Sequence, residues 1–353
     1  MIDLRSDTLT LPTEEMRNVI ANASVGDDCY GEDSSVIELE EYCKQLFHVE
    51  DALFVPTGTM ANQLAIKSQV MEGNEVITET NYHINFYESA SIAMLSRAVL
   101  HTCRTADGIL RVEHVEELIH SKPRGPFYAH PQLVSIENTI NYYQGKIFPL
   151  KVIEQLYGFT REKNISFHMD GARLFNAHVA TNIPLRDYAK FVDSLSVCFA
   201  KGLGAPFGSM LMGRKEVISK ARIYRKQFGA GFHQIGMYAA AALYALKHHI
   251  SRLRTDHLLT KKLAMMLSKI DGLYVDPHAV ETNMIFFHVN NFHISSFEFV
   301  DRCKKKGLLL FPWLPDEVRI VVSRNVNEKD IDEAATIIEA VCKELRRGVM
   351  YVS

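Results

Sequence analysis

Residues 167–208 read FHMDGARLFNAHVATNIPLRDYAKFVDSLSVCFAKGLGAPFG. An apolar strand, ISFHMD, ends on Asp170, and Arg173 follows three residues later. A second apolar run, DSLSVCFA, ends on Lys201, immediately before a glycine-rich turn. In a parallel α/β sheet, ligands bind at the carboxyl ends of strands. Asp170 and Lys201 hold equivalent places one unit apart. Burying the charge of a lysine is costly unless its pKa falls or it is consumed covalently. Desolvated lysines of this kind form Schiff bases.

Working outward, short apolar strands alternate with helical periodicity. Strands are expected at Ala52–Val55, Glu75–Thr78, Ala98–Thr102 and Leu133–Glu137, and again at 209–213. Helices are expected from Ser35, over Ala61–Met71, over Leu150–Lys163, and over Met237–Lys247. The predicted fold class is α/β: a mostly parallel sheet covered by helices. The last hundred residues read differently, with alternating strands TNMIFFHV and VRIVVS and a final helix from Glu328, as a smaller α+β C-terminal domain. The expected divisions are an N-terminal arm over 1–25 packing with the small domain, a large ligand-binding domain over 26–252, and a small domain over 253–353.

Composition limits the function classes. The chain has 353 residues, 47% hydrophobic and 23% charged, with a formal net charge of −3. That balance gives no general attraction to nucleic acid or anionic membranes. The start, MIDLRSDTLTLPTEEM, is charged from its third residue, so no secretory signal is expected. Six cysteines without a C-x-x-C pair fit reduced thiols in a cytoplasmic protein and no metal site. The basic run at 215–228 reads as a solvated or subunit-contact face.

The turn PTGTM, between strand and helix, offers free N–H groups at Gly58 and Thr59 to an anion. A strand-end Asp170 would hold a pyridine nitrogen protonated, and Lys201 would form the Schiff base. Phosphate anchor, carboxylate and lysine together call for pyridoxal phosphate.

The motifs DLRSDT, GDDCYGED, FVPTGTMANQLA, ENT, HMDGARLFNA, KGLGAPFGSML and TNMIFF resemble the L-threonine aldolase branch of the fold-type-I pyridoxal-phosphate enzymes, within the aromatic amino acid beta-eliminating lyase/threonine aldolase family. The resemblance spans nearly the whole chain in order. It implies Lys201 as the Schiff-base lysine, Asp170 at the pyridine nitrogen, Gly58 and Thr59 at the phosphate, and His83 stacked over the ring. It also implies that Arg173 reaches the ring hydroxyl and the substrate carboxylate, with Ser6, Tyr30 and Arg319 completing the substrate site. His83, directly or through a water, is the natural base for a retro-aldol cleavage of L-threonine, L-allo-threonine and related β-hydroxy-α-amino acids to glycine and an aldehyde. β-Elimination, racemisation or transamination is the alternative on the same cofactor, and a catalytically lapsed binding protein the remote one. The resemblance implies dimers of dimers with active sites completed across the interface, so a homo-oligomer, dimer or tetramer, acting on a small amino acid is expected. The chain departs from the family at Ile140, at His233 where an arginine is usual, and at Val322 and Ser323. A further family histidine aligns with Phe127, with His130 nearby.

Overall fold

The computed structural model describes residues 1–350, with side chains to Arg347. Contacts divide these residues into two compact units: Pro12–Ala200 with Ala205–Ile250, and Met1–Leu11 with Lys201–Gly204 and the chain from Ser251. The arm therefore contributes its first eleven residues to the smaller unit, while the helix Glu14–Ala21 belongs to the larger.

Twelve strands occur in the described chain: β1 Ile2–Asp3, β2 Asp51–Val55, β3 Glu75–Glu79, β4 Val99–Cys103, β5 Pro131–Glu137, β6 Ser166–Gly171, β7 Ser194–Cys198, β8 Ser209–Gly213, β9 Met284–His288, β10 Leu308–Leu309, β11 Phe311–Leu314 and β12 Glu317–Val321. The larger unit holds a seven-stranded sheet in the order β2-β8-β7-β6-β5-β3-β4. Only β8 runs against the rest, antiparallel to both β2 and β7. The fold class is thus α/β with a mostly parallel sheet, and apart from the edge strand β4 its strands are largely buried because helices cover them.

Two glycines permit close packing around the central stretch. A Cβ on Gly171 would stand 2.5 Å from the Ser196 carbonyl oxygen of the neighbouring strand. Gly208 has φ +99°, and a Cβ there would meet the Phe54 ring at 2.4 Å. The helix Gly58–Gln69 starts three residues earlier than periodicity suggests, because Thr57 caps it with Oγ1 accepting the Met60 N–H at 3.1 Å. Its residues Ala61, Leu64 and Ala65 pack with Leu53, Val55, Leu211 and Ile218.

The smaller unit pairs β1 with β10 in parallel and builds a separate sheet in the order β11-β12-β9. Ile285, Phe287, Val318 and Ile320 from that sheet join Ile331, Ile338 and Val341 of the last helix in one core.

Between β6 and β7 the structure depends on Asp193, which is buried. Its carboxylate accepts the Phe167 N–H at 2.8 Å and pairs with Arg161 at 2.5 Å and Arg214 at 2.8 Å. Both arginines reach solvent, so they remain hydrated when the carboxylate is removed, while the Phe167 N–H is left buried. Asp193→Ala is expected to lower stability by about 2 kcal/mol, read from the urea midpoint at constant m-value.

Candidate active site

Asp170 ends β6 with its side chain buried. Oδ1 accepts the Ala172 N–H at 2.9 Å, and Oδ2 accepts Asn62 Nδ2 at 2.7 Å. Asn62 projects from the helix Gly58–Gln69 and donates the same Nδ2 to Glu88 Oε1 at 2.8 Å. Its Oδ1 accepts from Ser196 Oγ at 2.9 Å and lies 3.2 Å from His168 Nε2. Burial pushes the His168 imidazole down to about 4, so it is neutral and serves structure.

His83 opens a four-residue helical turn, His83–Phe86, after β3. Its Nδ1 lies 2.8 Å from Glu88 Oε1, and its backbone N–H donates to Glu137 Oε2 at 2.7 Å. One imidazole nitrogen of His83 and one carboxylate oxygen each of Glu88 and Asp170 all fall within 4.8 Å of one another. Burial alone would lower the His83 imidazole, but the hydrogen bond to Glu88 and the charges of Asp170 and Glu137 raise it above its ordinary value. Burial, reinforced by the charge of Asp170, pushes the Glu137 carboxyl up to about 7. The Asn141 N–H donates to its other oxygen at 2.8 Å.

Gly58 and Thr59 lie in the first turn of their helix, where N–H groups have no intrahelical acceptor. The buried hydroxyl of Ser209 has no protein partner and lies 3.8 Å from where a Gly58 Cβ would stand. The Thr139 hydroxyl and the Asn138 amide nitrogen are likewise buried without partners. Free helix-start donors, an orphaned hydroxyl and a buried strand-end carboxylate are what a phosphorylated pyridine requires, so the residues present fit pyridoxal phosphate.

The larger unit thus brings together His83 and Asp170, and sets Gly58 four residues before Asn62 on one helix. Arg173 precedes the helix Leu174–Thr181, is buried, and has Nη1 3.4 Å from Asn141 Oδ1. Tyr30 is different: its side chain is 79% exposed on the turn Asp28–Tyr30 and makes none of the contacts of the His83 network. In the smaller unit, Lys201 accepts the Gly204 N–H on its carbonyl at 2.8 Å. Ser6 Oγ accepts from the Thr8 N–H at 3.2 Å, and Arg319 Nη2 donates to the Arg5 carbonyl at 3.2 Å.

The departures have plain structural settings. Ile140 is buried and bridges to Lys146. His233 is exposed and pairs with Asp27 through Nδ1 at 2.7 Å. Val322 belongs to the core of the smaller unit. Phe127 is 93% exposed, and His130 is exposed too.

Sequence reasoning missed Asn62, Gln63 and Glu88. The available signals were two amides inside the helical run ANQLA and a glutamate five residues after His83.

The beta-eliminating lyase family signature matches residues 3–290. A probable low-specificity L-threonine aldolase 2 of Arabidopsis thaliana is 36% identical over 347 residues, covering 96% of this chain and 97% of the relative. The low specificity L-threonine aldolase of Escherichia coli K12 is 36% identical over 336 residues, covering 95% and 97%. In fold, the chain superposes on a Leishmania major threonine aldolase with TM-score 0.82 at 20% identity, covering 98% of this chain and all of the other. Sequence relationship over nearly the full length, together with a strand-end Asp170 and the helix-start donors, leads to one assignment: the chain belongs to the beta-eliminating lyase family, in its L-threonine aldolase branch.

Proposed function

We propose that this protein is a pyridoxal-phosphate-dependent lyase that cleaves L-threonine, L-allo-threonine and related β-hydroxy-α-amino acids to glycine and an aldehyde. The observation that carries the reading is the buried Asp170–Asn62–Glu88–His83 chain, which joins a ring-nitrogen carboxylate to a base within one unit. Relatives named low-specificity L-threonine aldolases over nearly the whole chain support the choice of substrate. Among the described residues no helix is long and apolar enough to cross a membrane. We place the protein in the cytoplasm as a homo-oligomer, a dimer or tetramer.

The residues divide the work as follows. Lys201 supplies the amine for covalent attachment, Asp170 keeps a proton on the pyridine nitrogen, and the Gly58 and Thr59 N–H groups hold the phosphate. When bound, pyridoxal phosphate supplies an electron sink for the pair left at the substrate Cα. Arg173, and Ser6 with Arg319, grip the substrate carboxylate and so select which bond at Cα is aligned for cleavage. His83 accepts the β-hydroxyl proton, directly or through a water, as the Cα–Cβ bond breaks. The aldehyde leaves, and a proton returned to Cα gives glycine.

Purified protein incubated with L-threonine, L-allo-threonine or L-serine is expected to give glycine with the matching aldehyde; keto acid without glycine would sink the aldolase reading. Lys201→Ala is expected to lose both the visible absorption band and turnover. A protein that stays colourless with added cofactor would favour a binding role instead.

His83→Asn is expected to lower kcat about 10²- to 10⁴-fold. Because the His83 imidazole is raised and must be neutral to act as a base, wild-type kcat should fall with decreasing pH through a midpoint above 6.5. That limb should vanish in His83→Asn, and a pH–rate profile of both proteins checks it.

A further inference from the structure

Glu88 is a buried carboxylate surrounded by three side-chain donors. Asn62 Nδ2 lies 2.8 Å from Oε1, Gln63 Nε2 lies 2.6 Å from Oε2, and His83 Nδ1 lies 2.8 Å from Oε1. Its side chain is fully excluded from solvent. An ionised carboxylate accepts and never donates. Every group facing it must therefore present hydrogen.

The amide orientations follow from the network rather than from choice. Asn62 Oδ1 accepts the Ser196 hydroxyl, which turns Nδ2 toward both Glu88 and Asp170. Gln63 Oε1 is buried without a partner. Leaving such an acceptor unmade costs about 1–3 kcal/mol. Flipping Gln63 would instead set its carbonyl oxygen against the carboxylate, so the donor to Glu88 is worth more than the orphaned oxygen. The same logic fixes His83: Nδ1 carries its proton, and the neutral ring is left with Nε2 as the basic nitrogen.

We propose that Glu88 is a positioning residue for the reaction: it accepts Nδ1–H of His83, fixing the tautomer in which Nε2 gains and loses the proton, and through Asn62 it ties that ring to Asp170. The inference rests on the aldolase reading of His83. It extends that reading to a residue that touches neither substrate nor cofactor in its assigned role. The ionisable groups facing His83 are Glu88 and the Tyr87 phenol on its own segment, Glu137 from β5 and Asp170 from β6. None of these groups is basic, and Glu88 is the carboxylate hydrogen-bonded to the ring at Nδ1. Removing its charge should therefore lower the pH at which His83 titrates and free the ring to rotate.

The test uses holoenzyme of the wild type, Glu88→Gln and Glu88→Asp. His83 titration is read independently of turnover, from the pH dependence of carbethoxylation by diethyl pyrocarbonate mapped to the His83 peptide by mass spectrometry. Glu88→Gln is expected to move that midpoint to lower pH and to cut kcat roughly 10- to 100-fold, with KM for L-threonine nearly unchanged. Glu88→Asp should recover part of both. A folded Glu88→Gln protein with an unmoved midpoint and wild-type kcat would overturn the proposal.

Should Glu88→Gln fail to fold, ¹⁵N-histidine spectra of the wild type decide the matter, with His83→Asn giving the assignment. Neutral His83 protonated at Nδ1 supports the proposal, and neutral His83 protonated at Nε2 overturns it. A wild-type protein that makes no glycine from L-threonine overturns the aldolase reading and this role with it. A failure confined to Glu88 leaves glycine formation intact.

Discussion

Two buried carboxylates share a single amide nitrogen. Asp170 and Glu88 both take Asn62 Nδ2, at 2.7 and 2.8 Å. Like charges this close and this dry repel strongly unless donors lie between them. Asn62 meets that requirement on one side, and His83 and Gln63 meet it on the other. The helix that supplies Asn62 also starts at Gly58, four residues earlier and so on the same face. Thr57 sets that register by capping the helix. One helix therefore fixes the spacing between the proposed phosphate anchor and the carboxylate assigned to the ring nitrogen.

The local charge pattern has a chemical consequence. Glu88, Glu137 and Asp170 all bear on His83, and nothing in that set is basic. Such surroundings stabilise any cation brought among them, whether the imidazolium of His83 or a protonated ring nitrogen beside Asp170. Part of the negative charge is relieved locally, since Glu137 lies near 7. The same field that would keep a ring nitrogen protonated under the proposed reading also raises the His83 imidazole above its ordinary value, which makes it a stronger base. In the proposed mechanism, cofactor electronics and base strength would be set by one group of acids.

How much of this could be read from the residues depends on where each signal lies. Asp170 and Lys201 stand out in the sequence because a charged residue closing an apolar run breaks an otherwise uniform pattern; in the structure β6 carries Asp170, while β7 ends at Cys198, three residues before Lys201. The helix start at Gly58 and Thr59 stands out because strand, small-residue turn and helix follow in order. The seven-stranded sheet followed from the same alternation. Asn62 and Gln63 were not legible, since an amide in a helix reads as surface until the helix is known to be covered on all sides; both are buried. Glu88 was hidden in a stretch with no clear periodicity, which folds as short turns instead of a regular helix. The strand β11 escaped because Pro312 and Pro315 argue against a strand, and it survives at a sheet edge where a missing N–H is tolerated. Tyr30 came only from the resemblance, and its exposed ring shows what motif matching alone leaves undecided.

The sheet of the smaller unit explains how Arg319 can hold a fixed direction. Phe311 and Phe286 flank it in register on β11 and β9, and Trp313 lies two residues along on the same face. The guanidinium carbon is 4.8 Å from the Phe311 ring and 4.6 Å from that of Trp313. A planar cation packed on rings keeps its edge N–H groups directed, which an ammonium on a flexible stem would not do. Val322 follows two strand positions from Ile320 and faces the unit's core, opposite to Arg319. His233 lies on an exposed loop against Asp27, and Ile140 is an apolar residue in a buried turn. These departures from the family pattern are absorbed by packing and surface pairing, and none of them replaces a member of the Asp170–Asn62–Glu88–His83 chain. Inside that network Asn62 Nδ2 serves two carboxylates at once and Glu88 is bonded by three side chains, so the loss of one group unsettles several others.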